Sequence, residues 1–155
     1  MSDAARVFKP TTLTKSTAFF RAMKKISQIV GLDLGNPLNE VKLTQIGVNT
    51  NVIYVLEEMG ASKSELEWII KPRTLARRQH KGEILTPEET GRWLRAIKVQ
   101  VLAVEVFGDE EKAINWMKKS RKSFAGQSAS KIIQSEAGGL IVIDTLNKID
   151  ADFFA

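Results

Sequence analysis

Leu85-Thr86-Pro87-Glu88-Glu89 opens a run that continues through Trp93, Leu94, Ile97, Val101 and Val104 to Phe107-Gly108. Thr86 is an N-cap residue, Pro87 fits the first helical position because its missing N–H would be unpaired there anyway, and Glu89 completes a capping box. The apolar residues recur at helical spacing and Gly108 is a stop signal. The helix expected from Thr86 to Phe107 is long enough to serve the residues on both sides of it. The chain is therefore expected to be all-α, one continuous body rather than two separable domains.

Downstream, Val106 to Ala155 reads as three short amphipathic helices. Asp109 caps the first, with Glu110 and Glu111 in its favourable first turn, Lys118 and Lys119 near its end, and Ala113, Trp116 and Met117 on its apolar face. A basic loop follows, then a short helix over Ser128 to Gln134 and a last one from Ser135 to about Ile149. Gly138-Gly139 interrupts that last helix at a cost of about 1 kcal/mol per glycine relative to alanine, so close approach of another helix or of a partner is the expected reason. Asp144, Asp150 and Asp152 have no second polar group in register and read as solvated or partner-facing. The chain ends Asp150-Ala151-Asp152-Phe153-Phe154-Ala155. Termini usually fray into polar residues, so two terminal phenylalanines need a home in the core or on a partner.

Upstream, the segment before about Asn39 is basic and hard to read: Arg6, Lys9, Lys15, Arg21, Lys24 and Lys25 outnumber Asp3 and Asp33. Phe19, Met23, Ile26 and Val30 make one helical stripe ended by Gly31, and Gly35-Asn36-Pro37 marks a turn. A partly disordered arm is the competing reading. Val52, Ile53, Val55, Leu56 and Met59 suit a helix closed by Gly60, with a strand as the alternative. Ser62-Lys63-Ser64-Glu65 has capping-box form and should start a helix that turns Leu66, Ile69 and Ile70 inward.

Pro72 then starts a further helix that stops near Gly82. Helix, glycine, capped helix, proline turn, helix is the layout of a helix-turn-helix unit, whose second paired helix enters the DNA major groove. That helix carries Lys71, Arg73, Arg77, Arg78 and Lys81 with His80 and no acid. Arg73, Arg77 and Lys81 recur at every fourth position and share a face. Arginine matches phosphate and guanine edges in two-point geometry, and Thr74 and Gln79 add neutral hydrogen-bonding groups. Leu75 and Ala76 are the expected inward anchors. A solvated basic face is the bland alternative.

Composition bounds the chemistry. The 155 residues contain no cysteine and a single histidine, His80, which excludes disulfides, thiolate nucleophiles and multi-histidine metal sites within one chain. No cofactor is called for. The net charge of +5 is compatible with nucleic acid without demanding it. No apolar run reaches the roughly 20 residues of a membrane span, and the N-terminus has no secretory signal, so a cytoplasmic protein is expected. No Ser/His/Asp set, glycine-rich phosphate loop or base-and-orienter pair supports an enzyme.

Val106-Phe107-Gly108-Asp109-Glu110-Glu111-Lys112-Ala113, Trp116-Met117, Gly126, Ser135-Glu136-Ala137-Gly138 and Leu146-Asn147-Lys148-Ile149 together resemble the toxin-binding domain of Xre/MbcA/ParS-type antitoxins. Ile69 to Arg78 and Leu85 to Glu89 resemble the helix-turn-helix half of the same family. The ordered set spans about residues 45 to 155. Departures from the family pattern are Ser120-Arg121 in place of a frequent Pro-Asn, Ala125 in place of a first glycine, Ala129 in place of a proline, and Asp152 in place of a tail glycine.

The resemblance implies an antitoxin of a bacterial type II toxin–antitoxin module. It implies a RES-domain, NAD-degrading toxin covered by the C-terminal domain, and a dimerising half that binds operator DNA and represses the module. Residues 1–44 would be a basic, partly helical arm, 45–105 the Xre-like DNA-binding and dimerisation domain, and 106–155 the toxin-binding domain. DNA contact would fall to Lys71, Arg73, Thr74, Arg77, Arg78, Gln79 and Lys81. Toxin contact would fall to Trp116, Arg121, Lys122, Asp150, Asp152, Phe153, Phe154 and Ala155. The alternatives are a stand-alone regulator whose C-terminal helices mediate oligomerisation, and an interaction module with no DNA role.

Overall fold

The structure, a computed structural model, describes residues 16–153. Arg6, Lys9, Lys15, Phe154 and Ala155 lie outside the described residues. Within them are eight α-helices: α1 (Thr17–Val30), α2 (Pro37–Ile46), α3 (Val52–Glu58), α4 (Pro72–Lys81), α5 (Pro87–Phe107), α6 (Glu110–Lys118), α7 (Ala129–Ile132) and α8 (Glu136–Phe153). Two 3-10 turns, Ser64–Leu66 and Lys122–Phe124, and a small hairpin of β1 (Ser120–Arg121) with β2 (Gln127–Ser128) complete it. The fold is all-α.

Helix α5 is the spine. Thr86 accepts from the Glu89 amide at 3.2 Å while Glu89 accepts from the Thr86 amide at 2.8 Å, so the capping box is closed in both directions. Gly108 ends the helix in the left-handed conformation, φ 68°. Trp93, Ile97, Val99 and Ala103 are fully buried, so the helix is covered on several sides rather than on one stripe. Helices α1, α2, α3, α6 and α8 all pack on it. Trp93 also donates its indole N–H to the Val52 carbonyl at 2.9 Å, tying α3 to the spine.

The stripe Phe19–Val30 forms α1 as expected, with Ser16 accepting from the Phe19 amide as N-cap and Gly31 closing it at φ 71°. Ala18, Ala22, Met23 and Ile26 are buried, and α1 lies along α5. Glu105 of α5 receives Arg21 at 2.8 Å and pairs with Lys25. Burial pushes the Glu105 carboxyl up, but the hydrogen bonds and charges of Lys25 and Arg21 outweigh it and hold the group below its ordinary value. The stability this pairing contributes is full above the unfolded-state value of about 4.3 and is lost as pH falls through the lower folded value. Glu105→Gln is therefore expected to cost about 1–2 kcal/mol at pH 7, and progressively less below pH ~4 as the wild type itself protonates. Denaturant melts at the two pH values check this.

The structure departs from the sequence reading in three places. Helix α2 follows the Gly35-Asn36-Pro37 turn, with Asn36 accepting from the Leu38 amide as cap. It buries only Leu43 while Leu38, Val41 and Ile46 stay exposed, so no single apolar stripe announces it. The helix expected after Ser62 is one 3-10 turn. The Glu65 amide does donate to Ser62 Oγ at 3.3 Å, but Pro72 holds Lys71 extended (ψ 142°) and leaves too few residues for a stable helix. It still buries Leu66, Ile69 and Ile70. The Val52 segment, by contrast, is the helix expected and not the alternative strand. The basic loop after Lys119 contains the β1–β2 hairpin.

Gly138 and Gly139 are explained by close approach. A β-carbon on Gly138 would fall 1.7 Å from the Ile132 carbonyl oxygen, and one on Gly139 would fall 2.6 Å from Arg95 Cδ. The neighbours are the end of α7 and the spine of the same chain. Arg95 donates to the Ile133 and Gln134 carbonyls at 2.7 and 3.0 Å and lies 5.2 Å over the Trp68 ring. Burial lowers its guanidinium from the ordinary value, opposed by Glu136 and reinforced by Arg92. Arg92 donates to the Ile69 carbonyl at 3.0 Å. Two arginines one turn apart on α5 thus hold carbonyls from the segments before and after it.

Candidate partner-binding surfaces

Helix α4 buries none of its residues. Lys71, Arg73, Arg77 and Lys81 are exposed, and among the described residues none of them has an ion-pair partner. His80 is exposed as well. Arg78 faces the other way. Its side chain is 16% exposed, and Nε lies 3.2 Å from Glu89 Oε1 in an ion pair, with Glu83 at 3.8 Å. Glu89 is the same carboxylate that closes the capping box of α5, so Arg78 is part of the joint between α4 and the spine. Gln79 exchanges hydrogen bonds with the Tyr54 hydroxyl at 3.1–3.3 Å. Thr74 and Leu75 are half-buried. Ala76, expected inward, is exposed: about 100° around the helix from Leu75, it lines the open groove between α3 and α4. The acid-free face left for a partner is Lys71, Arg73, Arg77 and Lys81.

The C-terminal residues divide in the same way. Trp116 packs edge-on to Phe124 at 6.2 Å and against Phe107 at 5.8 Å. Arg121 lies 4.6 Å over the Trp116 ring and donates to the Trp116 carbonyl at 3.3 Å. Its Nε is buried without a hydrogen-bond partner, and burial lowers its guanidinium from the ordinary value. Lys122 is exposed at the start of the 3-10 turn. That turn ends in Ala125 at φ 55°, a left-handed backbone that costs a non-glycine residue on the order of 1 kcal/mol. A glycine there, which the resemblance leads one to expect, would avoid that cost.

Asp150 is not partner-facing. It is 2% exposed, and its carboxylate accepts from the Ala18 amide at 3.4 Å at the start of α1. Its partner lies 132 residues away along the chain, which no local pattern could reveal. Asp144 makes a surface pair with Lys148 at 2.8 Å. Asp152 and Phe153 are exposed, Phe153 at 65%.

Sequence reading missed a second surface. Glu40, Val41, Thr44, Leu94, Lys98, Leu140 and Ile143 line a groove of about 410 Å³ between α2, α5 and α8. Of these, Val41 and Leu140 are exposed. Among the described residues no group of three or more His, Cys, Asp and Glu is placed to hold a metal. No helix there is long and apolar enough to cross a membrane.

Residues 102–151 match the family model described as the antitoxin Xre/MbcA/ParS C-terminal toxin-binding domain. Antitoxin Xre of Yersinia enterocolitica is 30% identical, over 97% of this chain and 99% of its own length. Antitoxin Xre of Pseudomonas putida is 31% identical over 70% of this chain and 61% of its own length. Antitoxin Xre of Photorhabdus laumondii is 26% identical over 94% of this chain and 96% of its own. These relatives are named as antitoxins, not as enzymes, and a toxin-binding domain implies a cognate toxin. With near-complete coverage of an antitoxin Xre and a match to its toxin-binding domain, this chain belongs to the Xre family of antitoxins.

Proposed function

We propose that the chain neutralises a RES-domain, NAD-degrading toxin by laying its last residues over the toxin's active-site cleft. As a dimer it also binds operator DNA through α4 and represses its own type II module in the cytoplasm.

The observation that carries the first part is the state of the C-terminus. Helix α8 is anchored by Val142, Leu146 and Asp150, and then presents Asp152 and a 65% exposed Phe153. An aromatic side chain on a rigid mount is the usual form of an interface hot spot. Carboxylates of the tail pair with arginines of the kind that hold a dinucleotide's phosphates. Trp116, Arg121 and Lys122 would widen the contact: a guanidinium stacked on an indole is already oriented to receive a carboxylate. The second part is supported by the unpaired, acid-free face of α4. In a helix-turn-helix reading, Arg73 and Arg77 face base edges or phosphates, and Lys71 and Lys81 neutralise the backbone.

The test is co-expression with the product of the adjacent gene, with cellular NAD as the readout. Antitoxin should keep NAD at its uninduced level and co-purify with that product. NAD that falls equally with and without antitoxin would sink the reading and leave the stand-alone regulator.

A further inference from the structure

We propose that α1 is a clasp that aims the inhibitory tail, with Asp150 and Asn147 as its positioning residues. The inference rests on the reading that the tail enters the toxin.

Two contacts join the first described helix to the last. Ser16 Oγ donates to Asn147 Oδ1 at 2.8 Å, and Asp150 Oδ2 accepts from the Ala18 amide at 3.4 Å. Asn147 and Asp150 are one helical turn apart on α8, so both face the start of α1. The first turn of α1 has no acid of its own. Its free amides and dipole favour a negative charge there, and Asp150 supplies one from another helix. A carboxylate only 2% exposed is costly to bury unless it is so received. Asp150 is thereby fixed in place, and Phe153 stands one turn further along the same helix.

The clasp itself is anchored from behind. Ala18, Ala22 and Ile26 are buried, α1 packs along α5, and Arg21 and Lys25 pair with Glu105. Helix α1 lies outside the residues that match the toxin-binding domain, 102–151. The direction in which the tail leaves the body is therefore set by the opposite end of the chain. Helix ends fray unless tied down; here the tie is made by Asn147 and Asp150, one to two turns before the exposed residues that would meet the toxin.

A double-mutant cycle tests this on the full chain, titrated against the purified, catalytically inactivated product of the adjacent gene. The four proteins are wild type, Asp150→Asn, a chain lacking residues 152–155, and the combination. The pair Ser16→Ala with Asn147→Ala is run beside Asp150→Asn, in case the latter lowers stability. Asp150→Asn is expected to weaken binding about tenfold in the full chain and less than about twofold in the shortened one, because a clasp has nothing to aim once the tail is gone. Amide exchange in residues 148–153 of the free protein should speed up several-fold in both clasp variants. An equal loss with and without the tail, or unchanged exchange at the end of α8, overturns the clasp while leaving the tail reading intact. A shortened chain that binds as tightly as wild type overturns the tail reading instead, and the clasp falls with it.

Discussion

An antitoxin lacking Asp152 to Ala155 is expected to fold normally and to fail completely in neutralisation. The last residue that α8 buries is Asp150; beyond it Ala151, Asp152 and Phe153 are exposed. Removing exposed residues at a helix end leaves the core untouched, so the melting temperature should move by no more than about 2 °C. The expected cost to binding is of another order. A single buried aromatic anchor accounts for about 2–4 kcal/mol at an interface, or roughly 30- to 1000-fold in affinity. Loss of the tail's carboxylates adds to that. Cells expressing the toxin should lose NAD and stop growing in the presence of the shortened chain as they do with no antitoxin. Purified toxin titrated with each form gives the same comparison without expression effects. Full protection by the shortened chain would remove the tail from the mechanism.

The second large effect is expected on DNA. Arg73→Ala with Arg77→Ala should weaken operator binding by about 2–6 kcal/mol, using 1–3 kcal/mol for each good arginine contact as the guide. The slope of log affinity against log salt should fall by about 2, since each lost phosphate neutralisation removes about 0.9. Both residues are exposed and lack ion-pair partners among the described residues, so stability should hardly change. Arg78→Ala is the contrasting control. It should leave the salt slope nearly unchanged and lower the melting temperature, because Arg78 pairs with Glu89 behind the helix. A flat response of DNA affinity to the double substitution would remove α4 from DNA recognition.

This contrast shows where sequence reading succeeds and where it stops. The limits of α4 and α5 were legible because their signals are local: a proline at the first position, a threonine–glutamate box, and a glycine at the end. The acid-free character of α4 was legible too. What sequence could not separate was Arg77 from Arg78. The two are neighbours in the chain, and their roles diverge only because Glu89 lies behind one of them. Asp150 failed for the same reason at larger scale. Nothing near it in the chain suggested burial, since the group that receives it is the amide of Ala18. Helix α2 was missed because it is held by Leu43 and by the Glu40–Lys98 pair rather than by an apolar stripe. The double glycine of α8 was readable as a close approach, but its neighbours, Ile132 and Arg95, were not.

The hydrogen bond from Ser16 to Asn147 also decides where the molecule can be handled. Ser16 lies against the last turns of α8, so the start of α1 and the exposed end of α8 share one end of the body. The Gly35-Asn36 turn, exposed beyond the far end of α1, is some 20 Å away along a helix of 14 residues. A label carried there reports on either partner without standing in the doorway.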